Sequence, residues 1–91
     1  MTTLTLNSDP LATDVIFGAA AFRVVLEDGR ELSVPIDWFP RLRRATGEQR
    51  ANWRLIGRGE GIHWPDIDED ISVLGLLAGA GDQSKGRAAA E

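Results

Sequence analysis

Two β-rich runs flanking an Asp-Gly pair constrain this chain more tightly than any other feature. Phe22-Arg23-Val24-Val25-Leu26 leads into Glu27-Asp28-Gly29-Arg30, and Glu31-Leu32-Ser33-Val34-Pro35-Ile36 follows. Asp-Gly tolerates positive φ at both turn positions, so the segment is expected to be a β-hairpin. Strand alternation puts Phe22, Val24 and Leu26 on one face, with Leu32, Val34 and Ile36 on the return strand. Pro35 has no N–H for a ladder, so the second strand ends there or leaves that side unpaired.

Other signals surround the hairpin. Thr13–Phe17 is a short apolar run with β-branched residues, closed by a turn through Gly18–Ala20. Asp37 can cap a helix over Trp38–Ala45, with Pro40 in its first turn, where a missing N–H costs nothing. Thr46 followed by Gln49 has the spacing of a capping box, and a second short helix over Gly47–Asn52 is expected. Trp53-Arg54-Leu55-Ile56 either prolongs that helix or becomes a strand. Gly57, Gly59 and Gly61 interrupt what precedes them. Gly61-Ile62-His63-Trp64 reads as a strand stopped by Pro65, with Trp64 buried, and Asp66–Asp70 reads as an acidic loop. Asp70 or Ser72 caps a last helix over Ser72–Ala78.

The 91 residues leave room for one domain. The expected class is α+β: a small antiparallel sheet with its hairpin, packed against two or three short helices. Residues 1–11 read as a flexible arm with a short edge strand at Leu4–Leu6, residues 12–79 as the domain, and residues 80–91 as a disordered tail of small and polar residues. There is no cysteine, which excludes disulfides, thiolate metal sites and thiol nucleophiles. The start MTTLTLNSDP lacks the basic and apolar blocks of a signal peptide. No apolar run approaches the roughly 18 residues of a membrane span. A cytoplasmic location without membrane contact is expected.

Charge is distributed unevenly. The net charge is −4, yet Arg41, Arg43, Arg44, Arg50, Arg54 and Arg58 face a single acid, Glu48, within their stretch. Glu60, Asp66, Asp68, Glu69 and Asp70 follow with no Lys or Arg among them. Arg41, Arg44, Arg50, Arg54 and Arg58, with Asp66, Asp68, Glu69 and Asp70, form the candidate interaction surface. Two patches of opposite sign suit docking. The plainer reading makes them solvated faces, with arginine stems covering the core edge and heads pairing with the acidic loop.

Catalytic and metal readings are weaker. His63, the single histidine, has acids nearby and could serve as a base or a metal ligand. The simpler expectation is a strand-end ring packed beside Trp64 and bonded to backbone. One histidine without cysteine makes poor zinc chemistry. An EF-hand loop needs Gly sixth and Glu twelfth; counted from Asp66 these are Ile71 and Leu77. Gly57-Arg58-Gly59-Glu60-Gly61 lacks the phosphate-loop pattern and reads as a turn. Ser33, Thr46 and Ser72 lack the context of an activated nucleophile. No cofactor, metal or catalytic residue is expected.

Several runs together carry a resemblance: Asp28-Gly29-Arg30, Val34-Pro35-Ile36, Trp38-Phe39-Pro40, Glu48-Gln49-Arg50-Ala51-Asn52-Trp53, and Gly61-Ile62-His63-Trp64-Pro65-Asp66-Ile67-Asp68-Glu69-Asp70-Ile71. Over about Ala12–Gly79 the chain resembles domain-of-unknown-function family 2442, small bacterial and phage-associated proteins. The resemblance implies a compact α+β domain whose gene often neighbours a second small family, a pair suspected of being a toxin–antitoxin system. Some relatives carry a helix-turn-helix after this domain, whereas here about twelve residues follow Gly79. The family brings no established catalytic residues. The expected function is therefore a non-catalytic protein-interaction module, antitoxin-like or adaptor, binding itself or a neighbour-encoded small protein. The alternative is a nucleic-acid-binding accessory domain using Arg41–Arg58. Overall acidity disfavours the latter, because non-specific nucleic-acid affinity comes largely from phosphate neutralisation.

Overall fold

Strands β1 (Ala12–Phe17), β2 (Ala21–Leu26) and β3 (Glu31–Pro35) form an antiparallel meander in the order β1-β2-β3. The computed structural model describes residues 10–79; the arm and tail expectations for 1–9 and 80–91, including the strand at Leu4–Leu6, lie outside the described residues. The hairpin forms as expected, but only Gly29 takes positive φ (95°). The Gly29 N–H donates to the Leu26 carbonyl and the Leu26 N–H to that of Arg30, so one left-handed glycine beside a bulge completes the turn. Asp28 holds the loop from outside, accepting from the Arg30 N–H at 3.0 Å. β3 is an edge strand whose last residue is Pro35, which has no N–H; the Ile36 N–H makes one more bond, to the Ala20 carbonyl at 3.0 Å, before the chain turns into a 3-10 segment.

The helical connection departs from the expected Trp38–Ala45 helix. Ile36–Trp38 is a 3-10 turn containing Asp37, and α1 is Pro40–Arg44 with Phe39 as N-cap. Asp37 therefore caps nothing. The residue before a proline is pushed out of the helical region, and Phe39 sits at φ −128°, ψ 96°. The break falls there and resets the helix. The capping box forms: Gln49 N–H donates to Thr46 Oγ1 at 3.1 Å, and Thr46 N–H to Gln49 Oε1 at 3.0 Å. It opens α2, Gly47–Ala51.

The remaining strands build a second sheet, β4 (Arg54–Ile56), β5 (Gly61–Trp64) and β6 (Glu69–Ser72), in that order and antiparallel. Of the Trp53–Ile56 run, Arg54–Ile56 thus resolves as a strand rather than a longer helix, and Trp53 precedes it. The acidic loop is shorter than its sequence implies. Asp68 takes φ 55°, a left-handed position that Asp tolerates, and this closes the turn early enough for Glu69 and Asp70 to enter β6. Ser72, not Asp70, caps α3 (Val73–Leu77), its hydroxyl accepting from the Gly75 N–H at 3.1 Å. The α+β class and antiparallel pairing hold, with the strands shared between two three-stranded sheets.

The inner faces of the sheets meet in one core. Phe22, Val24, Leu26 and Val34 come from the first sheet and Ile62, Trp64 and Ile71 from the second. Phe39, Leu42, Val73 and Leu76 close it from the helical side. Trp64 is 0% exposed. Its ring stands edge-on to Phe17 and Phe22, each with centroids 6.3 Å away, and its indole N–H donates to the Arg50 carbonyl at 3.0 Å. Gly59 joins the sheets at their other end. Its carbonyl accepts from the Ala12 N–H at 2.8 Å, and a Cβ there would lie 2.4 Å from the Ala12 oxygen. Trp64→Ala removes the filling between the sheets and is expected to cost about 3–5 kcal/mol. Urea unfolding of the variant measures it; a midpoint matching the parent would contradict this packing.

Candidate functional site

The expected surface residues fall into separate groups. Arg54, His63 and Asp70 lie in one cross-strand row, since Arg54 pairs with His63 and His63 with Asp70. His63 Nδ1 contacts Asp70 Oδ1 directly. The expectation of a ring beside Trp64, bonded to backbone, is corrected for a simple reason: successive side chains on β5 point to opposite faces. Trp64 points into the core and His63 toward the outer face, where its partner is a carboxylate. A carboxylate on Nδ1 favours a proton on that ring nitrogen. Among the described residues, no group of three or more His, Asp or Glu side chains could hold a metal ion. The Ser72 hydroxyl is engaged in capping α3.

The six arginines do not line one face. Arg41 donates to the Asp68 carbonyl at 2.7 Å and lies 3.9 Å from Glu69 Oε1, beside the buried Glu69 side chain. Arg58 and Glu60 form a weak pair at 3.8 Å. The Arg58 backbone N–H, with the N–H of Glu60 itself and the Arg58 charge, holds the Glu60 carboxyl below its ordinary value. Arg50 turns inward: Nε donates to the Leu42 carbonyl at 2.9 Å and Nη2 to the Arg43 carbonyl at 3.1 Å, satisfying the end of α1. Arg43, Arg44 and Arg54 are exposed and form no ion pair among the described residues. Asp66 accepts from Asn52 Nδ2 at 3.1 Å. Arg41 is thus the point at which the arginine stretch meets the acidic segment.

A cleft of about 360 Å³ opens between the end of β1 and α2. Val15, Phe17 and Gly18 form one wall, and Gly47, Arg50 and Trp53 the other. The Arg50 guanidinium lies 5.9 Å from the centre of the Phe17 ring. The β1 wall is also a strand edge. Gly18 N–H donates to the Ala21 carbonyl, and Leu26 N–H donates toward β3. Alternation from these two bonds turns the peptide groups of Asp14 and Ile16 toward β2, and those of Val15 and Phe17 away from it. The Val15 N–H is taken by Asp14 Oδ1 at 2.8 Å. Sequence reading did not identify this cleft, although the edge-strand alternation of Val15 and Phe17 was its available signal.

The His63–Asp70 pair is half exposed, so its worth is modest. A double-mutant cycle with His63→Gln and Asp70→Asn is expected to give a coupling of roughly 0–1 kcal/mol with the fold retained. A coupling of several kcal/mol by urea unfolding would contradict a solvated pair.

Two solved structures share the fold. One is a crystal structure of a protein of unknown function from Rhodospirillum rubrum, with TM-score 0.73 and 30% identity over 85% of this chain and 96% of that one. The other is a solution NMR structure of an uncharacterized protein from Chromobacterium violaceum, with TM-score 0.72 and 26% identity over 91% of this chain and 77% of that one. No curated protein matches the chain. Residues 12–82 match the family described as protein of unknown function, and the chain belongs to that family, DUF2442.

Proposed function

We propose that this protein is a non-catalytic protein-interaction module, an adaptor or antitoxin-like protein acting on a protein partner. The observation that carries the reading is the cleft between β1 and α2. It is concave, lined by Val15, Phe17 and Trp53, and carries one cation, Arg50. Recognition sites are commonly built this way, with apolar walls and a few placed polar groups. Exposed Trp38, Leu55, Ile56, Leu74 and Leu77 add apolar surface outside the core. Either a second copy or a neighbour-encoded small protein would fit this role in the cytoplasm.

The nucleic-acid reading draws support from Arg43, Arg44 and Arg54, which are available for phosphate contacts. The net charge of −4 opposes it. Sedimentation of the pure protein, then with the neighbour-encoded protein and separately with a random-sequence duplex, decides between them at about 0.15 M salt. A protein complex or self-association is expected, without sub-micromolar duplex binding. Tight duplex binding that salt weakens steeply, with a strict monomer and no partner complex, would overturn the proposal.

A further inference from the structure

We infer that the partner is bound by strand addition: an extended segment bearing an apolar side chain and neighbouring carboxylates lies along the free edge of β1 and fills the cleft against α2. This rests on the protein-binding reading and adds to it a site, a binding mode and a ligand chemistry.

The backbone comes first. The Val15 and Phe17 peptide groups point away from β2, and no backbone hydrogen bond outside the ladders involves either residue among the described residues. Among the described residues, the edge backbone is held at its start, where the Ala12 N–H meets the Gly59 carbonyl, and at the Val15 N–H, which Asp14 takes. The groups left open are the Val15 carbonyl and the Phe17 N–H and carbonyl, about 7 Å of strand, which suits a short extended segment. Main-chain bonds supply affinity in such additions, and pockets for alternate side chains supply specificity.

The pocket is present beside that edge. A side chain directed inward from the added strand would enter the 360 Å³ space between Phe17 and Trp53. One directed outward would meet Ile16, which is 38% exposed. The charge sign follows from the far wall. Arg50 spends Nε and one Nη2 hydrogen on carbonyls, leaving donors for an anion. Arg43 and Arg44 close the helix whose carbonyls Arg50 holds, and both are exposed. Of the residues that line the cleft, Arg50 alone is charged; Glu48, in the same helix, is not among them. A carboxylate-bearing segment matches this wall; a basic one does not.

Asp14 completes the device. Its carboxylate occupies the Val15 N–H in the free protein, and charges of this kind blunt an edge against pairing with copies of itself. An incoming strand can bond to the Phe17 N–H and the Val15 and Phe17 carbonyls without displacing it.

A displayed random-peptide library, selected against the full chain at about 0.15 M salt, tests the inference. The selected peptides are then synthesised and titrated into isotope-labelled protein. Enriched peptides should pair Asp or Glu with an aromatic or branched apolar residue. Their amide shifts should cluster at Val15–Gly18 and Gly47–Trp53, and exchange of the Phe17 N–H should slow. Gly47→Glu plugs the cleft mouth with a repelling charge. A Cβ there meets nothing within 4 Å, and a glutamate suits the first helical turn, so the variant should fold with an unchanged or higher melting point. Its peptide affinity should fall at least about tenfold. No enrichment, basic peptides, shifts elsewhere, self-association through this edge, or peptides indifferent to Gly47→Glu would each overturn the inference. A neighbour-encoded partner that binds Gly47→Glu undiminished would leave the interaction-module reading standing and remove this site. Binding of duplex alone would remove the reading itself.

Discussion

The rest of the structure depends on one buried side chain. Trp64 stands between the two sheets, its ring against Phe17 and Phe22 and its indole N–H on the Arg50 carbonyl. Neither three-stranded sheet has a large core of its own. Each is stable because its inner face covers the other, and Trp64 is the largest of the fully buried side chains. A buried indole without an acceptor would cost about 1–3 kcal/mol, so the Arg50 carbonyl is part of the packing. Through that single bond the second sheet also fixes α2, and with it the far wall of the cleft.

Arg50 carries the linkage onward. Its fork spans the carbonyls of Leu42 and Arg43, which end α1, while its plane approaches Phe17 on β1. A lysine could not bridge two carbonyls in that fixed geometry and also lie over a ring. One residue thus ties α1, α2 and β1 together, and Trp64 ties that group to the second sheet. The cleft is a consequence: the helix and strand edge are held apart by side chains that are themselves locked. Such preorganisation favours binding, because fewer groups must be ordered when a partner arrives.

Local chemistry made much of the fold legible. The hairpin followed from Asp28-Gly29, α2 from Thr46 and Gln49, and the last helix from Ser72, which was one of two caps consistent with the sequence. The burial of Trp64 followed from its place on an apolar strand before Pro65. Asp37 misled because its capping potential is local, whereas the helix start is set by Pro40 acting on Phe39. The acidic run misled because four acids of like charge among five residues conceal one at positive φ, Asp68, which splits them between a turn and a strand. His63 could have been placed: if Trp64 faces inward, alternation sends His63 outward, toward whichever residue of the next strand lies opposite. The cleft could not be read in this way. Its walls come from segments some thirty residues apart, and their juxtaposition depends on sheet-to-sheet packing that no local pattern encodes. The same packing divides the arginine stretch, so that charge counted along the chain overstates the charge any one face presents.

Hydrogen exchange at the three indole N–H groups tests the central claim most directly. If Trp64 is the link on which both sheets depend, its indole proton escapes only when the whole domain unfolds. Its exchange free energy then equals that of the Phe22 and Ile62 amides on the two central strands, while the exposed Trp38 indole exchanges freely. Exchange at Trp64 while the Phe22 and Ile62 amides stay protected would show that the sheets hold without it, and would contradict the account.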